Sequence, residues 1–206
     1  MEKATIYRAI SAPTALVGGL LSLVTGGLLA GPLRDLAENP LWFFGPWAVV
    51  LALTGAANGF FLSREAHRRG DPFFSPGMRM AIKALLPAHV MAGFVTGLTI
   101  LGLRSFYTAR IYLALPGLWC LAYGLGLLAM EHFAPRSLVW LGWSFLLAGL
   151  ASAAIFFLGF GGILPTGINP VVITNVTMAL TFGLLHLIYA AATWPRGRRS
   201  EQGGAA

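Results

Sequence analysis

The sequence predicts an all-α, polytopic membrane protein with six transmembrane helices. Apolar residues make up 57% of the chain and charged residues only 10%, whereas about a quarter of the residues of a soluble domain are charged. Six uncharged segments have roughly the 20-residue length that a membrane span requires. The basic residues lie in the connections between these segments and fall mostly on one side, which fixes an orientation.

The six predicted spans are the segments that lack Asp, Glu, Lys and Arg. They lie at 12–31, 41–62, 84–103, 111–130, 137–159 and 171–194. The last two belong to one uncharged stretch that is too long for a single helix, and its Gly- and Pro-rich segment 159–170 predicts a turn. Because the spans and their connections use nearly the whole chain, we expect one transmembrane domain over residues 1–206 and no soluble domain.

The distribution of basic residues predicts that both termini lie in the cytoplasm. With the N-terminus inside, eleven of the fourteen Lys and Arg residues fall on the cytoplasmic side. Cytoplasmic connections of membrane proteins carry such an excess, and a multi-pass protein of the bacterial inner membrane is therefore expected. The eleven are Lys3, Arg8, Arg64, Arg68, Arg69, Arg79, Lys83, Arg136, Arg196, Arg198 and Arg199.

A weak internal repeat suggests three two-helix hairpins. Each outgoing helix is predicted to begin at a small residue followed by proline, which suits the first turn of a helix. Each returning helix contains a glycine followed by Leu or Phe. The alternative is that such prolines and glycines are simply common in membrane bundles. The proline and glycine pairs, 46 or 48 residues apart, are Pro13 and Gly59, Pro76 and Gly124, and Pro135 and Gly183.

Polar residues within the spans indicate a ligand site. Burying an ionisable group in hydrocarbon costs a few kcal/mol or more, so such residues are the first functional candidates. At a rise of about 1.5 Å per residue, His89 lies about 9 Å inside the third span and His186 about 12 Å from the inner end of the sixth. Asn58 reaches a similar depth in the second span. With Tyr123 of the fourth span, these residues are predicted to line a polar pocket open to the cytoplasm.

Ionisable residues of the connections are predicted to surround the mouth of this pocket. All four histidines of the chain then fall in its cytoplasmic half. The alternative is that the two histidines within the spans only form hydrogen bonds between helices, and that the others are solvated. The predicted mouth residues are Glu65, His67, Glu131, His132 and Arg136.

Two imidazoles at one depth also allow a cofactor hypothesis. His89 and His186 on facing helices suit the axial ligands of a b-type haem. A non-haem metal ion bound by these two residues and His132 is a further hypothesis, since imidazole suits zinc, copper and iron. The chain has no HExxH pair, no Gly-rich phosphate loop and no carboxylate within a span. Enzyme activity is therefore disfavoured but left open.

The favoured function is a small transport-like or membrane-complex protein that binds a small or lipidic ligand in the pocket. A proton or metal-ion pump is disfavoured because it usually needs buried carboxylates. The alternatives are a haem or metal redox protein that uses His89 and His186, and a structural or regulatory subunit without a ligand. The expected partners are membrane lipids, a small-molecule ligand, and a second copy or a membrane-complex partner, but not nucleic acid.

Two further segments have predicted roles in packing and lipid contact. Glycines of the first span and the Gly93-x-x-x-Gly97 arrangement of the third predict close helix packing. Segment 63–83, predicted to be a basic cytoplasmic loop, is expected to attract anionic lipid headgroups.

Overall fold

The protein is a bundle of α-helices, and the part of the chain that the structure describes contains no β-strand. The computed structural model describes residues 10–70, 72–103, 112–160 and 169–194. A short 3₁₀ turn, Leu36–Glu38, precedes the second helix. The helices are α1 (Ala12–Ala30), α2 (Pro40–Arg69), α3 (Pro76–Leu103), α4 (Ala114–Leu128), α5 (Arg136–Phe160) and α6 (Pro170–Thr193).

Five of these helices are long and apolar enough to cross a membrane. The exception is α4, which has 15 residues and therefore rises about 22 Å, less than the roughly 30 Å of a hydrocarbon core. α5 ends at Phe160 and α6 begins at Pro170, so the predicted break in the last uncharged stretch is confirmed. The helical membrane-type bundle is likewise confirmed, while the sixth span and the orientation stay predictions.

The prediction of a loop over 63–83 is wrong, because α2 and α3 are both longer than their uncharged segments. Only residues 70–75 separate the two helices. Gly70 ends α2 with a φ of 71°, a left-handed conformation that glycine adopts without steric cost. Pro76 begins α3, where its missing N–H leaves no hydrogen bond unmade. Charged side chains thus extend both helices instead of ending them.

Glycines form the closest helix contacts of the bundle. α1 packs along α6, and α4 packs along α5. A Cβ added to Gly26 of α1 would lie 2.6 Å from the Cβ of Ala179. One added to Gly124 of α4 would lie 2.8 Å from the carbonyl oxygen of Gly142. The close packing predicted for the first span is therefore confirmed at Gly18, Gly19 and Gly26 but not at Gly27, since the packed backbones could not approach so closely with larger side chains.

Of the five helices long enough to span a membrane, α2 and α3 are the least buried. Within the described ranges, α2 packs on α1 and α3 packs on α4, but no comparable interface joins α2 to α3. Among the described residues, no atom outside the surrounding turns of the same helix lies within 4 Å of where a Cβ would stand at Gly55 and Gly59 of α2 or at Gly93 and Gly97 of α3. We call these four glycines and the surface around them the α2–α3 face. The prediction that Gly93 and Gly97 pack closely is wrong for the isolated chain.

The three glycines of the predicted hairpin repeat have different surroundings. A Cβ at Gly124 would meet the backbone of α5, and one at Gly183 would meet Leu23 of α1. If the three hairpins formed a closed ring, the glycine of each returning helix would face the outgoing helix of the next hairpin. Gly59 would then face α3, but it faces open space. The repeat therefore remains a prediction.

The buried core has two parts. One surrounds Phe43 and Trp47 and joins α1, α2, α4 and α6. The other surrounds Phe145, which is 0% exposed, and includes Leu127 and Cys120 of α4. This second part adjoins Tyr123 and His186, two of the polar residues that the sequence singled out.

Candidate functional site

A buried hydrogen bond between Tyr123 and His186 lies at the centre of the candidate site. The Tyr123 hydroxyl is 3.0 Å from Nε2 of His186, and Nδ1 of the same ring is 2.8 Å from the carbonyl oxygen of Phe182. A carbonyl oxygen only accepts, so Nδ1–H donates to it. In the neutral ring Nε2 then accepts from the Tyr123 hydroxyl. Both nitrogens of His186, a residue only 6% exposed, are therefore satisfied.

A π-helical segment precedes His186 in α6. The helix is α-helical over Pro170–Met178, π-helical over Ala179–Leu185 and α-helical again over His186–Thr193. Phe182, within the π segment, supplies the carbonyl for His186 and a ring that lies nearly parallel to the imidazole, at 22° and 6.3 Å between centroids. Such segments are rare and often occur at functional sites.

Aromatic rings from three helices enclose the Tyr123–His186 hydrogen bond. The Phe145 ring of α5 lies 4.7 Å from that of Tyr123, 5.3 Å from that of His186 and 5.0 Å from that of Phe182 between centroids. Its contact with Tyr123 is edge-to-face, the arrangement that aromatic pairs favour. Together with His89 of α3, these residues form what we call the His–Tyr cluster.

His89 lies at the edge of the His–Tyr cluster. Its ring is 5.9 Å from that of Tyr123 and nearly perpendicular to it. Its Nδ1 lies 2.8 Å from the carbonyl oxygen of Leu85, so Nδ1–H donates there. The side chain is half-buried, and its Nε2 has no hydrogen-bond partner among the residues that the structure describes. Gly126 of α4 lets α3 approach closely at this point, since a Cβ there would lie 2.9 Å from Leu85 Cδ2.

Three of the four predicted ligand residues thus come together from α3, α4 and α6. The fourth, Asn58, lies on α2, which packs on α1, and its side-chain oxygen is buried. The five residues predicted to surround the mouth are exposed and lie at the end of α2, in the turns after α4 and at the start of α5. They are Glu65, His67, Glu131, His132 and Arg136. Their joint role at a pocket mouth stays a prediction.

The His–Tyr cluster does not fit the predicted metal sites. Iron ligation by His186 would require one of its two hydrogen bonds to break. The Tyr123 ring lies between two imidazole contacts, 5.9 Å from the His89 ring and 5.5 Å from the His186 ring between centroids. Among the described residues, no three His, Cys, Asp or Glu side chains are close enough to hold a metal ion. His89, His132 and His186 therefore form no such group.

Polar contacts in the rest of the bundle were not found by sequence reasoning. Trp47 Nε1 donates to Oδ1 of Asn175 at 2.9 Å, and the Asn175 amide donates to the Val171 carbonyl at 2.9 Å. Trp119 Nε1 donates to Oγ1 of Thr96 at 2.8 Å and so joins α4 to α3. The available signal was the position of Trp119 deep in a span, because a buried indole N–H usually needs an acceptor.

Comparison of the chain with protein-family models, curated proteins and solved structures finds no match. A fold alone does not specify a function, and function has to be inferred from the chemistry of a site. The function of this protein is therefore inferred from the His–Tyr cluster, which is half-exposed at His89 and at Tyr123.

Proposed function

We propose that this protein binds a small or lipidic ligand through a hydroxyl group at His89, within the membrane, and acts as a transport-like or membrane-complex protein. The observation that carries this proposal is that Nε2 of His89 has no hydrogen-bond partner among the residues that the structure describes. A polar atom in hydrocarbon costs free energy unless a partner reaches it. A ligand that donates a hydrogen bond removes this cost.

The donor arrangement of His89 favours a neutral ligand with an O–H group. Because Nδ1–H is held by the Leu85 carbonyl, Nε2 of the neutral ring is an acceptor. A ligand carboxylate, phosphate or ketone has only acceptor atoms, so it cannot donate a hydrogen bond to Nε2. The His–Tyr cluster also contains no Lys or Arg that would attract an anion. Alcohols, phenols and protonated headgroups are therefore the ligand chemistry that this site suits.

An open strip of α3 beside His89 favours a ligand with a hydrocarbon chain. Gly93 and Gly97 follow His89 at intervals of four residues, so the three residues lie along one side of α3. Among the described residues, no atom outside the surrounding turns of α3 lies within 4 Å of a Cβ position at either glycine. Eight residues of helix extend about 12 Å, which is long enough for a prenyl or acyl chain to lie along the helix. The α2–α3 face leaves this strip accessible from the bilayer.

The predicted orientation places the hydroxyl site near the cytoplasmic surface. In that orientation the exposed residues of the predicted mouth lie on the same side of the membrane as His89. A ligand headgroup then reaches the cytoplasm past Glu65, Glu131 and Arg136, while its chain stays in the bilayer. This arrangement suits a protein that takes a lipidic molecule from the membrane and presents its polar end to the cytoplasm.

A matched pair of probes tests the hydroxyl. Farnesol and farnesyl methyl ether share the chain, but only the alcohol can donate a hydrogen bond. We expect the purified protein to bind the alcohol about tenfold more tightly, which corresponds to one hydrogen bond of about 1.4 kcal/mol. His89→Leu should remove the preference, whereas His67→Gln, on the exposed end of α2, should keep it. Equal affinity of the wild-type protein for both probes would contradict the proposal.

A second function, that of a subunit in a membrane complex, is favoured by the uncovered α2–α3 face. Only 17% of the spanning part of α2 and 6% of that of α3 is buried, against 44% for α1. Glycines four residues apart on both helices would let a further helix approach closely. If a second copy or another protein packs there, Gly59→Leu and Gly97→Leu should dissociate it in light-scattering measurements. Gly27→Leu, at a similarly open glycine of α1, is the control.

A further inference from the structure

We propose that the connection between α2 and α3 binds the headgroup of an anionic phospholipid, separately from the ligand site at His89. The binding surface consists of Arg64 and Arg68 at the end of α2, Phe74 in the connection, and Arg79 and Lys83 at the start of α3. We call these five residues the α2–α3 turn. All four cationic side chains are exposed.

Helix length places the α2–α3 turn in the headgroup layer. α2 has 30 residues and α3 has 28, so they extend about 45 Å and 42 Å, well beyond a hydrocarbon core of about 30 Å. In both helices the excess lies at the same end, because the uncharged parts are 41–62 and 84–103. Each helix therefore projects about 10 Å past the hydrocarbon on the side of the turn.

The cationic residues of the α2–α3 turn outnumber the acidic residues of the surrounding segment. Segment 63–83 contains five cationic and two acidic residues, a net charge of +3. Among the residues that the structure describes, none of the four cationic side chains of the turn has a carboxylate within 4 Å, and the ion pair found is that of Arg34 with Asp35 at the opposite end of α2. Unpaired cations in a headgroup layer attract anionic lipids.

The aromatic residues of the connection favour a lipid over a soluble anion. Phe74 is 59% exposed, and its ring lies edge-to-face with that of Phe73 at 5.0 Å. An exposed phenyl ring at this level can enter the upper acyl region, where aromatic residues of membrane proteins concentrate. The guanidinium groups of Arg64, Arg68 and Arg79 can donate in pairs to the phosphate oxygens above it. A phosphodiester with attached acyl chains satisfies both parts of the surface, whereas free phosphate satisfies one.

Lipid retention measured by native mass spectrometry tests this proposal on the full-length protein. The protein is purified in detergent with equal amounts of phosphatidylglycerol and phosphatidylcholine of matched chains. We expect the wild type to retain phosphatidylglycerol preferentially. Each cation should contribute about fivefold, so the Arg68→Gln/Arg79→Gln variant should lose about twenty-five-fold of the enrichment. Arg34→Gln, which removes an exposed cation at the opposite end of α2, should lose none.

Two further measurements distinguish a bound phospholipid from a bound soluble anion. Phe74→Ser should reduce phosphatidylglycerol retention without any change of charge, and excess glycerol 3-phosphate should not displace the lipid. Equal retention of both lipids by the wild type, equal loss in Arg34→Gln, or displacement by glycerol 3-phosphate would each overturn the proposal. The farnesol preference should persist in Arg68→Gln/Arg79→Gln, so failure of the phospholipid site is distinguishable from failure of the ligand site. Size-exclusion chromatography establishes that each variant is folded.

Discussion

The hydroxyl of Tyr123 lies 3.0 Å from Nε2 of His186 and joins α4 to α6 in the interior of the bundle. The hydrogen bond that Nδ1 of His186 donates to Phe182 leaves Nε2 as an acceptor, so the phenol must be the donor. The two side chains thus satisfy each other directly. Loss of either one leaves a buried polar atom unpaired.

Replacement of Tyr123 by Phe should therefore destabilise the protein. It removes one oxygen, keeps the ring contacts with Phe145 and leaves Nε2 of His186 without a donor. We expect the free energy of unfolding in detergent to fall by about 1 to 2 kcal/mol, measured by circular dichroism during denaturation. Ser144→Ala is the comparison, because the hydrogen bond from the Ser144 hydroxyl to the Trp140 carbonyl is exposed and lies within one helix, so it should contribute less. A larger loss in Ser144→Ala than in Tyr123→Phe would contradict this expectation.

A second buried pair, Trp47 and Asn175, should show energetic coupling. Trp47→Phe leaves the Asn175 oxygen unpaired, and Asn175→Leu leaves the indole N–H unpaired, at sites that are 4% and 0% exposed. The double variant replaces both partners with apolar groups and should cost less than the two single changes together. We expect a coupling energy of about 0.5 to 1.7 kcal/mol from a double-mutant cycle in detergent.

Trp42→Phe provides the control for this cycle, because Trp42 is on the same helix but exposed. It should change the free energy of unfolding by less than about 0.5 kcal/mol. If the effects of Trp47→Phe and Asn175→Leu simply add, the hydrogen bond between them does not contribute to stability.

The uncharged segments predicted where in the sequence the helices lie, but not which side of each helix faces the interior of the bundle. The depths of His89 and His186 followed from counting residues, and the structure brings both into contact with Tyr123. The pair formed by Trp47 and Asn175 did not follow from the sequence. A helix in lipid is apolar on all sides, so it shows no polar stripe that would distinguish its inner face from its outer one.

Helix ends were also beyond a prediction based on hydropathy. The uncharged segments stop near Leu62 and resume near Ala84, yet α2 continues to Arg69 and α3 starts at Pro76. Arginine and lysine are good helix formers and can extend a helix into the headgroup layer. Gly70 ends α2 and Pro76 begins α3. A prediction that gave these two residues more weight than charge would have located both helix ends.

Glycine substitutions should distinguish packed positions from open ones. Gly124→Ala places a methyl group 2.8 Å from backbone atoms of Gly142 and Leu146, so α4 and α5 must move apart. We expect a loss of about 1 to 3 kcal/mol in the free energy of unfolding. Gly59→Ala meets no neighbour and gains the higher helix propensity of alanine, worth up to about 1 kcal/mol. A stabilising Gly124→Ala would show that α4 and α5 pack less closely than these distances require.

Cysteine labelling should establish the orientation of α2 in the membrane. Cys120 is 0% exposed, so a membrane-impermeant maleimide should not react with the folded wild-type protein. Asp35→Cys and Phe74→Cys introduce exposed thiols just before and just after α2. With both termini in the cytoplasm, intact spheroplasts should label Asp35→Cys at once and Phe74→Cys only after lysis.

The opposite pattern would place the α2–α3 turn outside, and with it Arg64, Arg68, Arg79 and Lys83. It would contradict the positive-inside distribution on which the orientation depends, and it would move the phospholipid site to the other leaflet. Labelling of both variants in intact spheroplasts would mean that α2 does not cross the membrane. Because Cys120 is buried, an unlabelled wild-type protein is the control that assigns each signal to the introduced thiol.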